Sequence, residues 1–583
     1  MLRAVHHEDF YSCGTSADES LGVYVAWTAL GGSFCDGMPL QNETSDISLV
    51  FSGDEFPDDR LVQELQNRGH SVGPQQSAYL VHLYEENPDF VHKLNGMFHG
   101  LIMDRRRKEL ILFNDRYGMH RLYYHESGDA FYFACEAKAI LAVCPELRSC
   151  DARGLGEFVA LSSVLEDRTM FRGIHALPAA SSWTFRNSRL ENRATYFVPS
   201  QWEGQSPLEA EPYYHELRTV LTTSLPRYFA GPQQLGIAMT GGLDTRVILA
   251  NYPRTPGSLT SYTFGSMYRD TWDVRVGRRV AAICQQPHRV IELGNEFLTA
   301  FGMWAQRTVL ITEGTVDLYR APDLYFSSKV REVAPAKVVG TYGSEIVRRA
   351  VMFGPVEPES RLFIPDFLRY VQAAANTYAA LRRQHPVTFA AFRQSPWYHS
   401  GILALEQSQL TVRSPFMDNQ FVRTVYRAPQ DGPDGDIRLR LIKDGNPALG
   451  RVRSDRGVGG NGSHLAGCLA RASREFSFRA EHQYDYGMRQ PLARLDHYLS
   501  GLRLHRLFLG RHKALHFRVW YRDQLSDYVR QMLLDSRSLS RPYLERKAVE
   551  RLVARHLDGS RNYTTAIHKL LTLELLHRLL LDG

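Results

Sequence analysis

The chain has no run of 18 apolar residues, so nothing in it reads as a membrane-spanning helix. Its seven cysteines in 583 residues are odd in number, scattered and without a CxxC pair, which speaks against a disulfide framework and a structural zinc site. No block of like charge is long enough for a nucleic-acid tail, and a net charge of +6 over this length is weak evidence for a polyanionic partner. There is no internal repeat and no low-complexity stretch. The first nine residues lack the apolar core of a secretion signal, so a soluble, cytoplasmic protein is expected, with no nucleic acid and no membrane as partner. What is present is ordinary globular composition, 44% hydrophobic and 23% charged, in a chain long enough for two or more domains.

Two blocks stand out. Residues 1–200 carry short strand-like runs separated by turn residues: 22–27, 47–51, 97–103, 110–113 and 131–134. The polar stretch 199–207 reads as a linker. Residues 210–583 alternate helical patterns (213–225, 273–284) with buried strand runs (235–239, 261–264, 337–340), which suggests a parallel α/β core. The chain closes on two patterns read as amphipathic helices, 543–557 and 563–581.

Residues 235–246 are the most informative. The apolar run Leu235–Met239 is what a strand buried on both faces looks like. It stops at Thr240, Gly241 and Gly242 and resumes as a helix-compatible run from Leu243. A strand that turns through two glycines into a helix presents backbone N–H groups and a positive dipole end, which suit a phosphate. No Gly-Lys-Ser/Thr follows, so this is not a Walker loop. Thr240 and Thr245 add hydroxyls, Arg246 a cation, and Asp244 a carboxylate for Mg²⁺. The plainer alternative is a Gly-rich turn of any α/β domain.

The loop resembles the Ser-Gly-Gly-Leu-Asp-Ser-Ser loop of the asparagine synthetase family, with Arg246 at its last position. Leu94–Phe98, Asp115–Tyr124, Phe133–Ala139 and Thr169–Pro178 are similar to ordered motifs of that family's first domain. Arg413–Asp418, Arg438–Lys443 and the closing helices resemble its second. The resemblance implies an α+β, Ntn-hydrolase-like αββα sandwich over 1–200, a degenerate glutaminase-like (class II amidotransferase) domain. It also implies an α/β, adenine-nucleotide α-hydrolase-like (PP-loop) synthetase domain over 210–583.

The pattern breaks in two places. The family's glutaminase needs a cysteine after the initiator Met, where Leu2 stands; its thiolate would attack the glutamine amide. Its glutamine-binding residues fall on Ser52, Gly53 and Asp54, on Gln75, Gln76 and Ser77, and on Trp27–Phe34, without the expected chemistry. Cys13 is either a displaced nucleophile or a small buried or loop residue. In the second block, Lys337–Glu345 departs from the family's Gly-x-Gly-x-Asp-Glu. Aligned on the glutamates, Ser344 replaces the Asp; aligned on the β-lactam-forming members, Tyr342 matches a catalytic Tyr. Packing against the pocket wall is the other reading of Tyr342.

By resemblance, the expected chemistry is an ATP-dependent, AMP-forming carbon–nitrogen ligase. ATP lies over Thr240, Gly241, Gly242, Leu243, Asp244, Thr245 and Arg246, with its base against Phe264, Gly265, Val339 and Gly340. Mg²⁺ is expected on Asp244 and Glu345, with Tyr342, Glu345, Lys443 and Arg456 as catalytic candidates. Lys443 and Arg456 would offset charge on phosphorus. Asp270, Asp273 and Asp418 weigh less, and His288 is read as structural. Substrates are a small-molecule or peptide carboxylate and an amine, ammonia by default; a homodimer stays open. The rivals are a tailoring enzyme like the lasso-peptide cyclases and β-lactam synthetases, and a non-catalytic nucleotide-binding protein.

Overall fold

The structure, a computed structural model, describes residues 1–70, 77–359, 361–429, 435–460, 464–499, 504–507 and 509–582. Among the described residues the first block holds eleven strands: β1 (Tyr11–Asp18), β2 (Val23–Leu30), β3 (Leu40–Gln41), β4 (Ile47–Glu55), β5 (Gly96–Asp104), β6 (Glu109–Asn114), β7 (Tyr123–Glu126), β8 (Phe131–Ala134), β9 (His175–Ala176), β10 (Ser181–Arg186) and β11 (Arg189–Thr195). An antiparallel six-stranded sheet runs β11-β10-β6-β5-β4-β3; β1 and β2 form a hairpin, and β8-β7-β9 a three-stranded sheet.

Because successive side chains point to opposite faces, the large sheet feeds two cores. On one face Leu49, Phe51, Phe98 and Phe113 pack under helices Asp59–Asn67 and Tyr79–Glu86 through Leu65, Tyr79, Leu80 and Leu83. On the other, Val50, Leu101, Leu112 and Trp183 meet Val23 and Val25 of β2, Tyr124 of the small sheet and Leu122 just before it. Helices Ala137–Leu141 and Ala152–Leu161 form the next layer and share a core with the second block. The succession is helix, sheet, sheet, helix.

The second block is built on a parallel sheet of β12 (Leu235–Ala238), β13 (Thr260–Ser266), β14 (His288–Leu293), β15 (Ala336–Val338) and β16 (Thr411–Arg413), in the order β14-β13-β12-β15-β16. From β12 the chain winds outward to β13 and β14, then returns to the other side of β12 for β15 and β16. The strand direction of travel therefore reverses between β12 and β15, and the carboxyl ends of those two strands bound the crevice in which such sheets take ligands.

Two expectations change. The stretch 199–207 is no free linker: Ser200–Glu203 is a helical turn and Trp202 is buried, its ring 4.5 Å from Phe197, with Arg116 stacked over both rings. The closing helix Thr564–Leu576 is not amphipathic. It is buried on all sides, and Lys569 Nζ donates to the Val159 carbonyl at 2.5 Å. The preceding helix begins only at Arg546, because Tyr543 is buried and Leu544 bridges to Phe363.

The blocks meet along a polar seam. Asp418, fully buried, accepts from Asn95 Nδ2 at 3.1 Å, from the Tyr228 hydroxyl at 3.0 Å and from Arg227, while capping helix Asn419–Val425 through the N–H groups of Gln420 and Phe421. Asn95 Oδ1 in turn accepts from the Asn419 N–H at 2.9 Å. The motifs Leu94–Phe98 and Arg413–Asp418 are thus two halves of one joint. Among the described residues no helix is long and apolar enough to cross a membrane.

Candidate active site

At the carboxyl end of β12 the chain passes through Thr240, Gly241 and Gly242 into helix Asp244–Asn251. Gly241 is required by crowding. A Cβ there would lie 2.3 Å from Asp455 Cβ and 2.7 Å from Asp273 Oδ1. Its N–H donates to Asp273 Oδ1 at 2.8 Å, and the Asp455 N–H donates to its carbonyl at 3.1 Å. The Gly242 N–H donates to Thr240 Oγ1 at 3.2 Å. Beyond them lie the first N–H groups of the helix, which have no partner within it. Leu243 is buried in the core, so it anchors the loop rather than facing a ligand.

Arg246 corrects the sequence reading. It does not face the crevice. Its guanidinium is buried and donates to the carbonyls of Gly242 (2.9 Å), Gly241 (2.6 Å) and Val452 (2.7 Å), so it braces the loop from behind. Burial lowers its pKa to about 10. We expect Arg246→Lys, which keeps charge but loses the planar fork, to cost about 2 kcal/mol from hydrogen bonds of a charged donor. Urea denaturation of the two proteins measures it.

The carboxyl end of β15 supplies the facing loop. A Cβ at Gly340 would lie 2.6 Å from the Thr245 backbone nitrogen, and one at Gly343 would lie 2.8 Å from Asp244 Cγ. Tyr342 turns the chain there with φ +76°, in the left-handed region that side chains avoid. Its ring is buried edge-on against His399, centroids 5.1 Å apart, and burial raises its hydroxyl pKa far above normal. Of the two readings, the geometry favours packing at the pocket wall.

The turn delivers Ser344, not Glu345, to Asp244. Ser344 Oγ donates to Asp244 Oδ2 at 2.7 Å, and Arg438 Nη1 donates to Asp244 Oδ1 and to Ser344 Oγ, both at 2.7 Å. Burial raises the Asp244 carboxyl pKa; Arg438 and Ser344 pull it back. Glu345 instead faces His399, with Nε2 to Oε1 at 3.2 Å. The expectation that Asp244 and Glu345 hold Mg²⁺ together is therefore corrected. One carboxylate and one hydroxyl converge here, with a guanidinium already on both, and these residues do not fit a two-carboxylate magnesium site.

The cations also rearrange. Lys443 is exposed in the last turn of helix Ile437–Gly445, whereas Arg438 in the first turn reaches the loop, held there by Asp436 through Nε at 3.0 Å and Nη2 at 2.7 Å. Arg456 forms a two-pronged pair with Glu475 (both contacts 2.9 Å) and lies 3.4 Å over the Phe478 ring. It is committed away from Asp244. The acids that crowd the loop are Asp273 and Asp455; burial pushes both carboxyls upward in pKa, and the Asp455 charge adds to the rise at Asp273. Asp273 is not the helix cap; Thr271 caps that helix. Asp270 pairs with Arg278 on the surface. Phe264 is half-buried and stacked on Phe326 at 4.0 Å, and Gly265 packs against Val290 of β14. His288 bonds Thr263 at 2.9 Å, a structural role.

In the first block, Leu2 lines a cavity of about 390 Å³ with Trp27, Leu101 and Leu112. Ser52, Gly53 and Asp54 line an adjoining cavity of about 150 Å³ with Cys35 and Cys135, Ser52 and Cys135 being shared by the two, and burial raises the Asp54 carboxyl pKa. Cys13 is exposed on β1 opposite Thr28. Ser77 is buried, while Gln75 and Gln76 lie outside the described residues.

Comparison with known proteins adds the family. The glutamine amidotransferase domain family matches residues 34–197 and the asparagine synthase family residues 504–578. Asparagine synthetase [glutamine-hydrolyzing] 1 of Bacillus subtilis is 24% identical over 48% of this chain and 44% of its own length. Asparagine synthetase [glutamine-hydrolyzing] 2 of Arabidopsis thaliana is 23% identical over 71% and 63%. The probable asparagine synthetase [glutamine-hydrolyzing] of Schizosaccharomyces pombe is 23% identical over 59% and 60%. The chain spans about half of the length of these curated relatives. A glutamine amidotransferase match in the first block and an asparagine synthase match near the end of the second make the chain similar to the asparagine synthetase family, at about 23% identity to its curated members. The loop at 240–246 lies outside both matched stretches, so its reading stands on geometry.

Proposed function

We propose that this protein is an ATP-dependent ligase that adenylates a carboxylate and joins it to an amine, without glutamine as nitrogen source. The observation that carries this reading is the meeting of two loops at the reversal of strand order, with Gly241, Gly242 and the start of helix Asp244–Asn251 on one side and Gly340–Ser344 on the other. The helix N-terminus faces the phosphates. The Phe264 ring offers a face for the base. Arg438 supplies the positive charge at Asp244 that offsets charge gathering on the α-phosphate as the carboxylate attacks. An amine then displaces AMP from the acyl group. The family usually works with Mg²⁺; since the residues at Asp244 form no two-carboxylate site, no role is assigned to it here.

Ammonia or an amine of the substrate itself replaces glutamine in this proposal, because Leu2 sits in an apolar cavity where a thiolate would be needed. A second reading, a nucleotide-binding protein without turnover, is favoured by the closed Asp244–Ser344–Arg438 triad. Pyrophosphate release from ATP tests both, with aspartate and ammonium and then with amino-acid or peptide carboxylates. The ligase reading expects release that glutamine does not increase and that Arg438→Ala lowers at least about 100-fold, in line with loss of a transition-state contact. No release above Asp244→Ala with any carboxylate, while ATP still binds, supports the second reading.

A further inference from the structure

Outside the crevice, the first block carries a group of side chains with no part in the ligase chemistry proposed above. Glu43 lies in the β3–β4 connection, His70 follows helix Asp59–Asn67, and His82 and Glu85 lie on helix Tyr79–Glu86. One ligand atom each from Glu43, His70 and His82 falls within 4.8 Å of the others. His82, 3% exposed, places Nδ1 at 2.8 Å from Glu85 Oε2 and 3.7 Å from Glu43 Oε2; His70 Nδ1 lies 3.8 Å from the same Glu85 oxygen.

We propose that Glu43, His70, His82 and Glu85 form a tetrahedral site for a divalent metal ion of the zinc class. Ligands about 2.0–2.1 Å from zinc stand about 3.3 Å from one another, and the three contacts above, 2.8 to 3.8 Å, bracket that edge. Two imidazoles with two carboxylates suit zinc rather than magnesium or calcium. The outer shell is built as well. His70 turns its other nitrogen, Nε2, to Glu86 Oε1 at 2.8 Å, the carboxylate–histidine arrangement that fixes a ligating ring. Arg68 holds Glu86 at 2.6 Å, and Asn42 Nδ2 holds Glu85 Oε1 at 2.8 Å.

Charge points the same way. Glu43, Asp46, Glu85 and Glu86 bring several carboxylates to one place, which suits a dication. The ion would clip the strand connection to both helices that roof the large sheet. Exposed Glu43 leaves the entry path open.

Titration of the EDTA-stripped full chain with ZnCl2, without nucleotide, tests this; the Co²⁺ form reports geometry by its visible spectrum. The expected result is one equivalent bound, a tetrahedral Co²⁺ spectrum, and loss of both in the His70→Ala/His82→Ala double variant. Glu86→Gln, at an exposed position that should not impair folding, is expected to weaken zinc 10- to 100-fold. Absence of stoichiometric binding by the wild type overturns the proposal. So does binding that survives unchanged in the double variant and in Glu86→Gln, which would place the ion elsewhere. The test needs no ligase activity, so its outcome is separate from that of the proposed function.

Discussion

Gly241→Ala is expected to lower pyrophosphate release at least about 100-fold while the protein stays folded. The added methyl would sit 2.3 Å from Asp455 Cβ and 2.7 Å from Asp273 Oδ1, well inside contact distance. Asp455 cannot retreat freely, because its N–H is bonded to the Gly241 carbonyl, and Asp273 is held by the Gly241 N–H. The loop itself must therefore shift, and with it the start of the helix proposed to face the phosphates. A displacement near 1 Å is enough for a loss of about 100-fold when catalysis rests on positioning. The stability cost should stay at about 1–3 kcal/mol, the usual range for overpacking. Steady-state assays beside a thermal melt separate the two effects.

Asp418→Ala is expected to be the most destabilising single change at the seam, about 3–5 kcal/mol. That is the range for removing one partner of a buried ion pair and leaving the other charge uncompensated. Here Arg227 is abandoned, Asn95 and Tyr228 lose a common acceptor, and helix Asn419–Val425 loses its cap. Asp418→Asn keeps size and one acceptor oxygen and should recover part of the loss. Urea denaturation of both variants measures it. Since Asn95 belongs to the first block and Asp418 to the second, Asn95→Ala should not add fully to Asp418→Ala; residues in one network are not additive.

The β-rich block, the parallel core and the loop after β12 were legible because each leaves a local signature: apolar runs of strand length, glycines at a turn, a helix-compatible continuation. The runs at 110–113 and 131–134 became β6 and β8 almost residue for residue. Strand β1 escaped notice because its sequence, Tyr-Ser-Cys-Gly-Thr-Ser-Ala-Asp, is polar and half exposed. In sequence, Lys569 and Glu574 look like the solvated face of the closing helix; their partners, Val159 and Arg541, lie elsewhere in the chain and bury them.

The site was legible in place but not in detail. Gly241, Gly242, Asp244, Thr245 and Gly340 do converge, since strand–turn–helix geometry fixes them locally. Side-chain direction does not follow from spacing. One position separates Ser344, which meets Asp244, from Glu345, which meets His399. Arg438 and Lys443 share a helix, yet only Arg438, beside its Asp436 clamp, reaches the loop. A cation directly after a Gly-Gly turn suggests a phosphate ligand, but Arg246 turns to the loop's own carbonyls. The carbonyls that it braces, above all that of Val452, are invisible before the chain folds.

The proposed function rests on the loops at 240–245 and 340–344 forming a nucleotide site. Calorimetric titration of ATP into the wild type, Gly241→Ala and Ser344→Ala tests it most directly. The expected result is one equivalent of ATP bound by the wild type, loss of binding in Gly241→Ala, and altered affinity in Ser344→Ala with the fold intact. A wild type that binds no ATP, or a Gly241→Ala variant that binds it as well as the wild type, would contradict it.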